Sequence, residues 1–372
     1  MRDRSSLLML KLGFEMNGKR LAIARQRKGY SRPELAERLG VTPRTIGGWE
    51  AGAVIPEDRI PSLVQILGFS RSFLELPDPA SVSTGAVSFR SLSRKTASQR
   101  DAALSMCDLA VDLSAWLDPR FGRNSVNVPD LSSEEPDFAA DLLRRDWGLG
   151  TAPISNLVHL LEAKGVRLFA LPENCREIDA CSFWYDDIPF MLVDTTRSAE
   201  RIRFNLAHEL GHLILHRHGA PVGQVAEKEA NVFASNFLMT IGSIQRHLPR
   251  EMTIDAIIRL KSRWGVSAAA LAYRLNKIGY LRDWNYKSMV IEMRRRRYHE
   301  VEPSPIPHEQ SYVLDIVLKT LLNKGISLRL VAEETHMPHA EVVGLMHGLA
   351  TVAISSHDIA SPNERRATLR VV

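Results

Sequence analysis

The chain has 372 residues, 45% of them hydrophobic and 24% charged; at about 100 to 200 residues per domain the length calls for two or three domains, and the composition lies far from that of disordered chains. Its formal net charge of +5 is a mild basic excess that permits a nucleic-acid partner without demonstrating one. Three cysteines, Cys107, Cys175 and Cys181, form no CxxC pair, which excludes a disulfide framework and a four-cysteine metal site and fits a reducing cytoplasm. No apolar run approaches the ~18 residues of a membrane span, and the run from Leu7 to Leu10 is too short for a secretory signal.

In chain order, residues 17–76 are dense in short helical patterns, and 77–88, rich in Pro, Ser and Gly, read as a linker. Amphipathic helices are expected from Thr96 to Leu117 and from Phe138 to Trp147. A further helix from Ile154 to Lys164 precedes three β-rich runs, at 165–171, 181–187 and 188–194, the last two joined through Asp186 and Asp187. Helical pattern resumes from Arg197 through residue 216, from Val225 to Met239 and over 252–278. The charge run and prolines of 293–310 suggest a second linker, a last helical module covers Tyr312 to Leu349, and the tail after Ser355 reads as frayed. The fold expected is mainly α with a small β-sheet: an all-α domain (1–76), a connector (77–136), an α+β domain (137–285) and a helical carboxy-terminal module (286–372).

Residues 31–52 read as two short helices about a tight turn. Ser31 with Glu34 makes a capping box, Gly40 takes the left-handed position that ends the first helix, and Thr42 caps the second with Pro43 at its first position. Between Asn17 and Arg59 nine basic residues face five acidic ones, so most of the basic excess lies where phosphate contacts need it. The plainer alternative is a helical protein-interaction module with solvated charges. This stretch resembles the Xre/Cro-type helix-turn-helix family over about residues 17–74. The resemblance implies double-stranded DNA as a partner, a second helix in the major groove, and Arg32, Thr42, Arg44 and Thr45 as contacts: Arg32 at phosphate, Arg44 as the side chain able to read guanine. Pro43 and Gly48 stand where polar readers are common, so base reading is expected to be weak.

In FNLAHELGHLILH, His208 and His212 are four apart and project from one helical face, which lets both imidazoles reach one Zn²⁺. Glu209 lies beside them, placed to take a proton from a zinc-activated water, so hydrolysis needs no protein nucleophile. A buried structural pair of histidines gives the same pattern, and context decides between them. A catalytic site needs a third ligand. Glu229 shares a helical face with Phe233 and Phe237, and a carboxylate on a buried apolar face calls for a cation; Glu227, two residues away and expected to point elsewhere, is the second choice. His218 stands where a metzincin has its third histidine, but Leu215 occupies the Gly position of that motif. His216 reads as a half-exposed structural histidine, with a supporting or substrate contact as the alternative.

RFNLAHELGHLILH followed by EKEANVFASNFLM resembles the ImmA/IrrE family of zinc metallopeptidases, with further likeness at 261–281 and upstream, about residues 137–283 in all. The resemblance implies zinc on His208, His212 and Glu229, Glu209 as general base, and a narrow protein substrate range, typically a helix-turn-helix repressor. The carboxy-terminal stretch 325–349 also suggests two helices around a turn, but Glu333, Glu334 and Glu341 would repel phosphate, so it reads as a packing, dimerisation or partner-binding module. The whole reads as a cytoplasmic DNA-binding regulator that cleaves a regulatory protein, a repressor or itself, with a homodimer among the arrangements expected. The alternative is a non-proteolytic regulator or antitoxin-like protein that uses the zincin-like fold for sensing or partner binding.

Overall fold

The structure, a computed structural model, describes residues 16–82, 96–122, 124–172, 175, 178–217 and 223–350. The amino-terminal helices are α1 (Gly18–Arg27), α2 (Arg32–Leu39), α3 (Pro43–Glu50), α4 (Ile60–Leu67) and α5 (Arg71–Leu74). Their ends are where the capping chemistry puts them: the Ser31–Glu34 capping box is formed, Gly40 has φ 66°, and the Thr42 hydroxyl accepts from Thr45 N–H. Leu35, Ile46, Trp49 and Leu63 close the core of this unit. The Glu50 carboxylate, almost fully buried, takes Arg25 Nε at 2.5 Å and Arg32 Nε at 2.6 Å and so ties all three of the first helices together.

Helix α6 (Ala97–Phe121) begins with a second capping box, Thr96 with Gln99. After α7 (Pro136–Asp146) and α8 (Leu157–Ala163) come the strands β1 (Arg167–Ala170), β2 (Ala180–Tyr185) and β3 (Ile188–Val193) in the order β1-β3-β2, with β1 parallel and β2 antiparallel to β3. Asp186 and Asp187 carry φ of 46° and 58°, the two left-handed residues of a tight hairpin turn whose twist matches the strands. The sheet is covered on both faces. Ser182, opposite Met191, points to the helix α9 (Ala199–Leu215), where its hydroxyl meets Glu209. On the other face Arg167 pairs with Asp118 of α6 at 3.1 Å, and Phe183 stacks on Phe190.

Helix α10 (Gln224–Leu238) packs along α9 and α7, with Phe237 edge-on to Trp147. The helical stretch expected over 252–278 is two helices, α12 (Ile254–Lys261) and α13 (Ala268–Lys277), broken at Gly265, whose φ of 64° ends the run; the short α11 (Ile241–Gln245) precedes them. Helix α14 (Asp283–Arg295) leads into the basic run, where Arg295 and Arg296 share Glu292.

Residues 301–310 differ from the second linker expected there. They form an extended strap held by buried carboxylates. Glu302 accepts from Ala268 N–H and pairs with Lys261, which also pairs with Glu200; Glu309 pairs with Arg203 and accepts from Leu157 and Val158 N–H at the start of α8. Beyond the strap, α15 (Tyr312–Asn323), α16 (Leu328–Thr335) and α17 (His339–Met346) follow. His336, φ 57°, makes the turn between α16 and α17, as Gly40 does between α2 and α3. Here the second helix is packed inward: Glu341 of α17 takes Arg27 of α1 at 2.8 Å, and Gly344 lies against Pro172. All three cysteines are buried; Arg27 Nη1 stands 3.6 Å from Cys175 Sγ, yet burial pushes that thiol up, in keeping with an inert role. The readings at 83–88, His218 and the tail after Ser355 lie outside the described residues.

Candidate metal centre and nucleic-acid interface

Helix α9 holds its histidines by local spacing alone, because residues four apart lie one turn apart on one face. His208 Nε2 and His212 Nε2 face each other at 3.1 Å, and both side chains are nearly buried. The carboxylate that meets them is Glu227, with Oε2 3.4 Å from His208 Nε2 and Oε1 3.5 Å from His212 Nε2. Among the described residues these three form the one cluster of His, Cys, Asp and Glu able to share an ion. Two atoms ~2.0–2.1 Å from one zinc at a tetrahedral angle stand about 3.3 Å apart, and the two imidazole nitrogens and a carboxylate oxygen lie close enough together to share one ion. Two imidazoles and one carboxylate also match the donor set of a catalytic zinc with one position left open. Burial alone would push the Glu227 carboxyl up, but the two imidazoles beside it outweigh that and hold it at about 2.

Glu229, the third ligand expected, is not in this cluster, and the correction has a clear cause. Phe233 of the apolar face that Glu229 shares does meet α9, but so does Ala230, and the seam between the two helices runs through both. A Cβ on Gly211 would meet Ala230 Cα at 3.2 Å and Phe233 Cδ1 at 3.1 Å; this close crossing brings the residue one turn before Ala230, which is Glu227, to the histidines. Glu229 is about a third exposed and bonds His216 Nε2 at 2.9 Å, while His216 Nδ1 lies 2.9 Å from His212 Nδ1. His216 is thus partly buried and in contact with a histidine of the cluster, as the supporting-contact alternative has it.

Glu209, adjacent to His208, is buried, and its Oε2 accepts from the Ser182 hydroxyl at 2.6 Å. Ser182 had no signal in the sequence beyond lying in a β-rich run; only the packing of β2 on α9 gives it this partner. Strand β2 is the outermost of the sheet, with no described strand on its other side.

In the amino-terminal unit Thr42 and Arg44 are exposed and Thr45 is half-buried, at the start of a helix whose inner face is Ile46 and Trp49. Arg44 makes no hydrogen bond or ion pair with any described residue. Thr42 and Thr45 bond each other, Oγ1 to Oγ1 at 2.8 Å, and Arg32 is half exposed with its Nε on Glu50. Of the expected contact residues Arg44 is thus exposed and without a bond to a described residue, while Arg32 is tethered to Glu50.

A helix-turn-helix unit ahead of an α+β domain with an HExxH helix defines the class: a DNA-binding regulator carrying a protease-family domain. Comparison with family models agrees: residues 18–75 match a helix-turn-helix domain, and residues 161–276 match the peptidase-family model described as an IrrE N-terminal-like domain. No curated protein matches the chain. No described helix is long and apolar enough to cross a membrane.

Proposed function

We propose that the protein is a DNA-bound, zinc-dependent endopeptidase that regulates transcription by cutting a regulatory protein, a helix-turn-helix repressor or another copy of itself. The observation that carries this reading is the convergence of His208, His212 and Glu227 within reach of one ion, beside a buried, hydrogen-bonded Glu209. Bound zinc would polarise the scissile carbonyl and lower the pKa of the attacking water toward ~7. His208, His212 and Glu227 would hold it. Glu209 takes one proton from the attacking water and delivers it to the leaving nitrogen as the C–N bond breaks, and Ser182 keeps the carboxylate aimed while occupying one of its lone pairs. The open edge of β2 supports an extended peptide as substrate, since an unpaired strand edge offers backbone donors and acceptors to another chain. Arg44 supplies the base contact and Arg32 the phosphate contact, the latter at the expense of its bond to Glu50.

The test is zinc content and cleavage in the full-length protein. Wild type is expected to hold one zinc and Glu227→Ala to lose it. Incubation with repressors encoded beside its own gene, or alone, should give a product that Glu209→Gln does not form. Zinc and DNA binding without any Glu209-dependent product would replace this reading with the non-proteolytic sensor.

A further inference from the structure

We infer that His216 and Glu229 are positioning residues of the metal centre, a relay that sets which nitrogen of His212 is free to bind the ion. This rests on the metal-site reading above. An imidazole ligand must present a bare lone pair, and the partner of its other nitrogen decides which tautomer it adopts and how its ring is turned. With both imidazoles neutral, the chain of contacts has one consistent set of proton directions. An ionised carboxylate only accepts, so at 2.9 Å His216 must donate from Nε2 to Glu229 Oε2. A neutral His216 then has a bare Nδ1, and at 2.9 Å from it His212 Nδ1 must be the donor. His212 Nε2 is left without a proton, and it is this atom that faces His208 Nε2 and Glu227.

The relay also explains why α10 carries two carboxylates. Glu227 meets the ion position, and Glu229 meets the last turn of α9 from outside, where it is about a third exposed. Glu229 therefore contributes to the centre without touching it. His216, at the carboxy-terminal end of α9 with its N–H bonded to His212 O, lies where the helix stops and the ring can turn toward α10.

Two measurements test the inference. The first is the zinc dissociation constant, read by competition with a chromophoric chelator, for wild type, His216→Ala, Glu229→Ala, Glu229→Gln and Glu227→Ala. His216→Ala and Glu229→Ala should weaken zinc about 10- to 100-fold, while Glu229→Gln, whose carbonyl oxygen still accepts, recovers most of the affinity; Glu227→Ala should lose zinc outright. The second is the His212 tautomer in metal-free protein by long-range ¹H–¹⁵N NMR, expected with the proton on Nδ1 in wild type and mixed in Glu229→Ala. Because Glu229 is partly exposed, its substitution keeps the fold even if His216→Ala does not. A wild-type protein that binds no zinc would overturn the metal-site reading and the inference together. Unchanged affinity in Glu229→Ala, or a proton on His212 Nε2 in the wild type, would overturn the inference alone.

Discussion

Gly211, between the two metal-facing histidines in sequence, is the residue on which the geometry of the centre turns. It has no side chain in the plane where α9 and α10 meet, and a Cβ there would press on the Cα of Ala230 and the ring of Phe233. Backbone cannot yield as a flexible side chain does, so Gly211→Ala should force the helices apart, at a cost of about 1–3 kcal/mol. The shift would carry Glu227 away from His208 and His212. We expect a lower melting temperature and, beyond that, weaker zinc binding than in an equally destabilised variant remote from the site. Zinc affinity equal to wild type in Gly211→Ala would show that the crossing does not set the centre. Glu227 was only the second choice from sequence because periodicity within α10 ranks faces by their hydrophobicity, whereas the crossing with α9 at Gly211 takes in Ala230 as well as Phe233.

Among the elements, α6 lies beside both the sheet and the helix-turn-helix unit: it packs along α1, its Asp118 pairs with Arg167 of β1, and its Asp112 pairs with Arg20 of α1. It also buries Asp108, whose carboxyl accepts from Val82 N–H at 3.0 Å; burial nevertheless pushes it from an ordinary 3.8 up to about 6. A raised carboxyl favours the protonated folded state, so its contribution to stability is full below about pH 4 and is lost as pH rises through 6. Asp108→Asn cannot ionise and keeps an acceptor for Val82. In urea unfolding the variant and wild type should be similar at pH 4, with the variant more stable at pH 7 by on the order of 1–3 kcal/mol. A stability difference that does not change between the two pH values would refute this role for Asp108. The amphipathic pattern of α6 was legible; the strap at 301–310 was not, because its order comes from Lys261, Arg203 and the α8 terminus, all distant in sequence.

Across the whole molecule, the helix-turn-helix unit, besides packing on α6, reaches the carboxy-terminal helices through a buried ion pair. Arg27, 2% exposed, reaches Glu341, 14% exposed, across 314 residues of sequence and touches Cys175 on the way. Removing one partner of a buried pair leaves the other charge uncompensated, at about 3–5 kcal/mol. Calorimetry of wild type should show the amino-terminal unit melting with the body, and Glu341→Ala should move it to a separate, lower transition. A single unchanged transition in the variant would mean that the ion pair does not couple the two parts. The same contact turns α17 inward and places Glu341 where a second DNA reader would need a surface, which agrees with the acidic character seen in its sequence.

The sequence by itself determined what is local: the helix ends set by Ser31, Thr42 and Thr96, the tight turn at Asp186 and Asp187, and the pairing of His208 with His212. Each depends on residues within about one turn of one another, where backbone hydrogen bonds and a 3.6-residue period leave few options. Tertiary structure alone decided the choice of Glu227 over Glu229, the Ser182 bond to Glu209, the path from His212 through His216, and the inward docking of the carboxy-terminal helices. Those depend on where two elements cross and which small residues permit the approach, and no periodicity within either element records that.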